Sequence, residues 1–407
     1  MSNLKENMSV YRGLPRGVYF LFFANVINEM GGFIMPLMTL ILTVKIGMPD
    51  SQAGLFASLA MLVRAPFLLL GGKLADRFGG KRVVLLFNAA GALVYLFCGM
   101  RKPDLFVAFL ILAASAFFAA AQPALNAVAA QISPRSRIGS VYSLMYLGLN
   151  LGFAIGPTLA GFLFNSYLNT LFWLDGLSTL LATALVLFGV HTKGEAEPTY
   201  PEQTETASET SAETPFLVFL RRTPVLAAFN AVMLLFYFCV SQWSFLLPLQ
   251  MVRLFPESGA TKFSFLFSTN AVAAIVLTAL LTVPMQKLRP VGAVFLGGIF
   301  YAASFLLFAF SREIGFFFAS MVVLTAGEVF VVVNSNSCIA LYTPQSHMGR
   351  ATSLLFTMKT AGQALGPAVM GAVLAETGFA NAWLIVFAVM LFAACSLIFV
   401  RRLERTR

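Results

Sequence analysis

Residues 71–83, GGKLADRFGGKRV, gather four basic residues, one acid and four glycines into thirteen positions, with a long apolar run on either side. A charged, glycine-rich hairpin of this kind is what stays in water when both of its neighbours lie in hydrocarbon. The rest of the chain agrees. Of 407 residues, 59% are hydrophobic and 11% charged, Phe alone supplies 42, and the mean hydropathy is +0.83. A soluble globular chain carries about a quarter charged residues.

Crossing the hydrocarbon takes about 20 mainly apolar residues in a helix. Twelve such stretches occur, near 17–44, 51–74, 82–100, 105–130, 139–165, 170–190, 225–252, 263–286, 290–310, 314–341, 349–375 and 379–400. They are too long and too continuously apolar for barrel strands, which alternate over about ten residues. The expected fold is an all-α membrane protein with twelve transmembrane helices. The first stretch is not expected to be a signal peptide, because it is long and Asn25, Asn28 and Glu29 interrupt it.

Lys and Arg in short loops set orientation. With the N-terminus inside, nineteen basic residues fall on the cytoplasmic side and six on the other, while Arg64 and Lys359 lie within helices. Both termini are therefore expected in the cytoplasm. The net charge of +10 is then a topology signal, and no nucleic-acid partner is expected. Cys98, Cys239, Cys338 and Cys395 all lie in predicted helices at spacings that suit neither a metal site nor a disulfide framework. His191 and His347 read as solvated loop residues. No nucleophile–base set, metal cluster or nucleotide loop is present, so neither an enzyme nor a metal site is expected.

Residues 194–214, GEAEPTYPEQTETASETSAET, hold six Glu and no apolar run. Such a stretch cannot bury enough surface to fold, and it reads as a cytoplasmic disordered linker. It separates an N-terminal six-helix bundle (1–193) from a C-terminal one (215–407). The halves also repeat. Residues 133–161 align without gaps with 343–371 at an offset of 210, matching Pro134/Pro344, Gly152/Gly362, Gly156/Gly366, Pro157/Pro367 and Gly161/Gly371. Both segments lead into the fifth helix of a half, so the repeat is parallel. Two pseudo-symmetric bundles with a substrate site between them near mid-membrane are a known transporter plan.

The pattern Gly72-x-x-x-Asp76-Arg77-x-Gly79-x-Lys81-Arg82 resembles the loop signature of the major facilitator superfamily, and the twelve helices with a central polar linker extend the resemblance over the chain. The resemblance implies the superfamily's fold and a conformational latch formed by these six residues. In the second half, VPMQKLRPVG keeps Lys287 and Arg289 but lacks the acid and the glycines, so the latch is expected on one side only. A helix-5 motif, Gly152-x-x-x-Gly156-Pro157-x-x-Ala160-Gly161, resembles the one that marks the drug:proton antiporters, with Ala-Gly where that motif ends in Gly-Gly. Small residues here also serve plain helix packing. Two departures stand out. Helix 4 lacks the arginine that many drug exporters use in proton transfer, and helix 5 lacks the early acid of LmrP-like exporters.

Ionisable residues inside a membrane are costly and mark function by default. Glu29, Arg64, Glu328 and Lys359 lie mid-helix, and Asp175 lies near the outer end of helix 6. Glu328, in LTAGEVF, resembles the helix-10 glutamate of LmrP-like exporters. Glu29 and Glu328 are the proton-coupling candidates, with Arg64 and Lys359 as their ion-pair partners; static ion pairs holding helices together are the competing reading. Asn25, Asn28, Glu29, Gly32 and Pro36 share one face of helix 1. Gln122 and Asn126 on helix 4, Asn230 and Tyr237 on helix 7, and Gln363 on helix 11 continue such polar stripes. They are the substrate-cavity candidates, with inter-helix hydrogen bonding as the alternative.

The expectation is a monomeric multi-pass protein of the inner membrane, surrounded by lipid and driven by a proton gradient without any cofactor. It would export amphipathic, cationic small molecules by alternating access. The alternative is transport of a defined metabolite such as a peptide, sugar or siderophore.

Overall fold

The computed structural model describes residues 11–134, 137–191, 219–220, 223–285, 287–344 and 347–405; the 194–214 segment lies outside them. The described helices follow the expected order. Helix α1 is built in pieces, Arg16–Met30 (α1a) and Ile34–Leu40 (α1b), the latter running into a wider turn at Ile41–Lys45. Then come α2 (Asp50–Phe78), α3 (Gly80–Cys98), α4 (Leu105–Gln131), α5 (Ile138–Phe164) and α6 (Leu168–Gly189). Helix α7 has a one-residue interruption at Ser241, whose φ of −59° and ψ of −17° stay helical, between Pro224–Val240 (α7a) and Gln242–Leu254 (α7b), and is followed by α8 (Gly259–Met285), α9 (Pro290–Phe310) and α10 (Ile314–Tyr342). The last helical stretch, Met348–Arg405, is interrupted at Gly378, whose φ of 77° and ψ of 172° no other residue adopts readily. It is therefore two helices, α11 before Gly378 and α12 after it, which makes twelve among the described residues.

Large apolar side chains point outward throughout, among them Leu69, Leu86, Phe188, Phe310 and Phe392. In water each would cost about 25 cal/mol for every Å² exposed. Hydrocarbon is as apolar as leucine and removes that cost. The chain is a multi-pass membrane protein.

Two compact units form. The first comprises Met1–Gly47, Leu62–Thr199 and Ala260–Ala271; the second comprises Met48–Met61, Tyr200–Gly259 and Val272–Arg407. Each unit thus incorporates the first turns of one helix from the other half of the sequence. In the first unit, Thr261 Oγ1 donates to the Gly161 carbonyl at 2.8 Å, and Thr158 and Ser268 share a hydroxyl hydrogen bond of 2.8 Å. In the second unit, Ser58 Oγ accepts from the Ala368 amide at 2.9 Å, and a side chain at Gly54 would collide with the Pro367 carbonyl. Positions 58/268, 158/368 and 161/371 are related by the same offset of 210, so the repeat extends to these contacts.

The 71–83 hairpin divides its labour among its residues. Gly79 turns the chain with φ 87° and ψ 135°, between α2 and α3. Gly71 and Gly80 are the close-approach glycines: a side chain at Gly71 would run into the Ala120 carbonyl, and one at Gly80 would lie 2.9 Å from the Ala124 carbonyl. Gly72 faces open space, so close helix approach in this hairpin belongs to its neighbours. Lys81 Nζ donates to the Leu187 and Val190 carbonyls at 2.8 and 2.7 Å, capping the end of α6 where the helix dipole favours a cation. Arg77 lies over the Phe78 ring, and Asp76 and Arg82 are exposed. In the second half the matching turn uses Arg289 and a proline at the first helical position of α9, a different solution to the same connection.

Gly79→Ala is accordingly expected to destabilise by about 1 kcal/mol or more, because a positive φ is imposed on a residue with a Cβ. Gly72→Ala, inside α2 with open space around it, should cost nothing and raise stability by up to about 1 kcal/mol. Thermal denaturation of the two purified variants checks the contrast, and equal losses would refute it.

His347, expected in solvent, is buried at 4% exposure with its ring 4.6 Å from that of Phe219. His191 is exposed.

Candidate functional site

The break in α1 organises the first unit. Gly31 ends α1a, and a side chain there would collide with Ser178 of α6. Past the break the amides of Phe33 and Ile34 need acceptors, and Asp175 Oδ2 accepts both at 3.0 Å. The Phe33 amide is shared with the Gly31 carbonyl, whereas that of Ile34 goes to Asp175. In hydrocarbon an unpaired amide costs several kcal/mol, so Asp175 makes the break affordable. The adjoining Asn28 accepts from Thr179 Oγ1 of α6 at 3.2 Å and donates to Glu29 Oε1 at 3.4 Å.

Opposite, the helix-5 glycines meet the backbone of α1a just before the break. A Cβ at Gly152 would lie 2.5 Å from the Glu29 Cβ and 2.8 Å from the Met30 amide; one at Gly156 would lie 2.7 and 2.8 Å from the Met30 and Glu29 carbonyls. The motif therefore seats the backbone that carries Glu29. Arg64 on α2 lies within electrostatic reach of both Glu29 and Tyr95, and Asp175 within reach of both as well. Tyr95, on α3, is 1% exposed and its hydroxyl has no hydrogen-bond partner among the described residues. The first unit thus gathers two carboxylates, one guanidinium and a buried phenol around a broken helix.

The second unit repeats the plan with other chemistry. At the interruption in α7, a side chain at Gly362 would collide with the Leu234 carbonyl and one at Gly366 with Ser241 Oγ. The later segment, α7b, is tied by a neutral network: Trp383 Nε1 donates to Gln250 Oε1 at 2.7 Å, and Gln250 Nε2 donates to the Phe308 carbonyl at 3.1 Å. One turn before Ser241 on α7a, Lys359 Nζ sits over the Tyr237 ring at 4.5 Å from its centre. Glu328 lies within electrostatic reach of Tyr237 and Tyr301. Tyr237 is therefore the common neighbour of both charges, and its buried hydroxyl has no hydrogen-bond partner among the described residues. Asn230 donates to the Leu226 carbonyl one turn back, leaving its Oδ1 buried and unpaired.

The remaining candidates are less confined. Asn25 and Gln363 are half-buried, and Gln122 and Asn126 are exposed on α4. Ser115, two turns before Gln122 on α4, is fully buried and bonds back to the Leu112 carbonyl, so it packs and does not line an opening. Sequence reasoning passed over Tyr95 and Tyr301, which resemble ordinary core aromatics. It noticed Asp175 without its role. The paired glycines at 31–32 were the available signal, since a broken helix must find acceptors for its freed amides.

The profile of the Major Facilitator Superfamily matches residues 18–367 and 260–407. The chain belongs to that superfamily. Among its members, the Na(+), Li(+), K(+)/H(+) antiporter of Planococcus maritimus is 24% identical over 77% of this chain and 80% of its own length. The class B tetracycline resistance protein of Escherichia coli is 24% identical, with 84% of each chain covered. The 3-(3-hydroxy-phenyl)propionate transporter of Escherichia coli K12 is 31% identical over 59% of this chain and 57% of its own. The fold superposes on that of the nucleoside transporter NupG with a TM-score of 0.78 at 13% identity, covering 95% of this chain and all of that one. This major facilitator protein thus resembles drug:proton antiporters in family.

Proposed function

We propose that this protein is a proton-coupled secondary active transporter of the inner membrane that exports amphipathic, cationic organic compounds by alternating access, as a monomer with both termini cytoplasmic. The observation that carries the reading is the recurrence, in each unit, of a membrane-embedded carboxylate near a buried tyrosine and a basic residue. In both units this set accompanies a helix, broken in α1 and interrupted by one residue in α7, that is seated on the paired glycines of α5 or α11. A carboxylate in such a setting can take up and release a proton as its surroundings change. Aromatic side chains suit a lipophilic cation. The similarity to an antiporter and to a tetracycline resistance protein supports exchange against protons, and the proton gradient is the sole energy source required.

The test is proton release from purified, detergent-solubilised protein, titrated with lipophilic cations, peptides, sugars and aromatic carboxylates. Release driven by the cations alone is the expected result. A second reading, transport of an anionic metabolite, is favoured by the Lys359 ammonium poised on Tyr237 and by the similarity to an aromatic-acid transporter. Proton uptake with aromatic carboxylates and no response to cations would establish it instead.

A further inference from the structure

The break in α1 and the interruption in α7 are held by different chemistry. The later segment of α7 is tied through Trp383 and Gln250, neither of which changes charge with pH. The later segment of α1 is tied through a carboxylate, Asp175, itself only 5% exposed. Glu29, the last residue but one of α1a, lies within electrostatic reach of the same carboxylate. An acid that clamps two backbone amides while facing a second acid has its grip set by where the proton resides, because two interacting carboxyls titrate as one system.

We propose that Asp175 and Glu29 form one coupled proton site, and that the proton on Asp175 loosens the break in α1. Asp175 is here a positioning residue: it holds the Ile34 amide, and through the break the segment that carries Glu29. The inference deepens the proton-coupled reading and rests on it. The groups facing Asp175 are few. From α1a comes Glu29; from α3 come Tyr95 and, beside it, Cys98; Arg64 of α2 acts on both Glu29 and Tyr95. The α1b segment contains no titratable side chain, and those of α5 are Tyr142 and Tyr146, nearer its start than the glycines that seat Glu29. Thr179, one turn beyond Asp175 on α6, fixes Asn28, and Asn28 in turn holds Glu29, so the helix that carries one acid also reaches the other through hydrogen bonds. Loss of charge on Asp175 weakens the acceptor on which the Ile34 amide depends. The break is then free to bend or rewind, a bistable element of the kind that drives switching.

The experiment is hydrogen–deuterium exchange of the full-length purified protein, following a peptide that covers residues 32–40. Protection, corrected for intrinsic rate, is read from about pH 5 to about pH 9, the interval in which buried carboxyls titrate. In the wild type, protection is expected to fall roughly tenfold as the pH is lowered, the factor set by one charge-assisted hydrogen bond. Asp175→Asn should show low protection at every pH, and Glu29→Gln should displace the midpoint along the pH axis. Constant wild-type protection across the range overturns the proposal without needing any variant to fold. A Glu29→Gln midpoint equal to the wild type overturns the coupling. Transport in everted vesicles is read in parallel. If substrate accumulation ignores the proton gradient while the exchange pattern holds, the functional reading fails and the clamp stands. If accumulation follows the gradient with flat protection, the clamp fails alone.

Discussion

Gly156→Val is expected to abolish transport and to remove most of the folded protein from the membrane. A first side-chain carbon at this position would stand 2.7 Å from the Met30 carbonyl and 2.8 Å from that of Glu29. Both obstacles are backbone, so no rotamer change relieves them. Helix α1 would have to shift from α5, and with it the break, the Asp175 clamp and the Glu29 carboxyl. Overpacking costs about 1–3 kcal/mol where a core can adjust, and more where it cannot. Membrane helices feel this sharply, because close backbone approach is what holds them together. Gly366→Val should act alike, since Ser241 of the interrupted α7 fills the corresponding space. Gly72→Val is the control, a glycine of a family motif with open space around it. Size-exclusion profiles of detergent extracts, with transport assayed on whatever material is monodisperse, check the set. Normal yield and normal turnover for Gly156→Val would show that the helix-5 motif does not seat α1.

Glu328→Gln is expected to abolish proton-driven accumulation while sparing energy-independent exchange and binding. Glutamine keeps the volume and hydrogen-bonding capacity of the side chain and fixes it in the neutral form, so the coupling step is lost and the fold is kept. Surroundings decide what else to change. Lys359 rests on the Tyr237 ring, a contact worth about 0.5–2 kcal/mol, and Glu328 faces the same tyrosine. Tyr237→Phe retains the ring and removes only the hydroxyl, so it should leave Lys359 in place and alter the pH profile alone. Lys359→Gln removes the cation and should change both the profile and the apparent affinity. A static structural pair behaves differently: each single neutralisation lowers expression, the Glu328→Gln/Lys359→Gln double variant restores it, and the pH profile stays put. Transport against pH in everted vesicles for these four proteins separates the cases. Full proton-coupled accumulation by Glu328→Gln removes this residue from the mechanism.

Much of the architecture is legible before any coordinates. Helix number and bounds follow from hydrocarbon thickness, which demands unbroken apolar length and leaves charge only at the ends; the fifth predicted stretch, 139–165, and the observed Ile138–Phe164 differ by a single residue at each end. The repeat is legible because glycine and proline keep their places where backbones touch. The ionisable residues inside helices are legible because their cost makes them rare. Less visible is the division of work within a motif. Gly71, Gly72, Gly79 and Gly80 look alike in sequence, yet one turns the chain, two admit a neighbouring helix and one faces open space.

Composition and periodicity by themselves determined that this chain spans the membrane twelve times, that its halves are related, and that Glu29, Arg64, Glu328 and Lys359 are its unusual residues. These are one-dimensional properties, set by solvent and by local spacing. Only the tertiary structure decided the partners: Asp175 on the Phe33 and Ile34 amides, Lys359 on the Tyr237 ring, Lys81 on the end of α6, and the exchange of 48–61 and 260–271 between the two units. The reason is that a polar group in hydrocarbon takes whichever partner the packing of backbones brings within about 3 Å, and that choice joins residues more than a hundred positions apart which no local pattern relates.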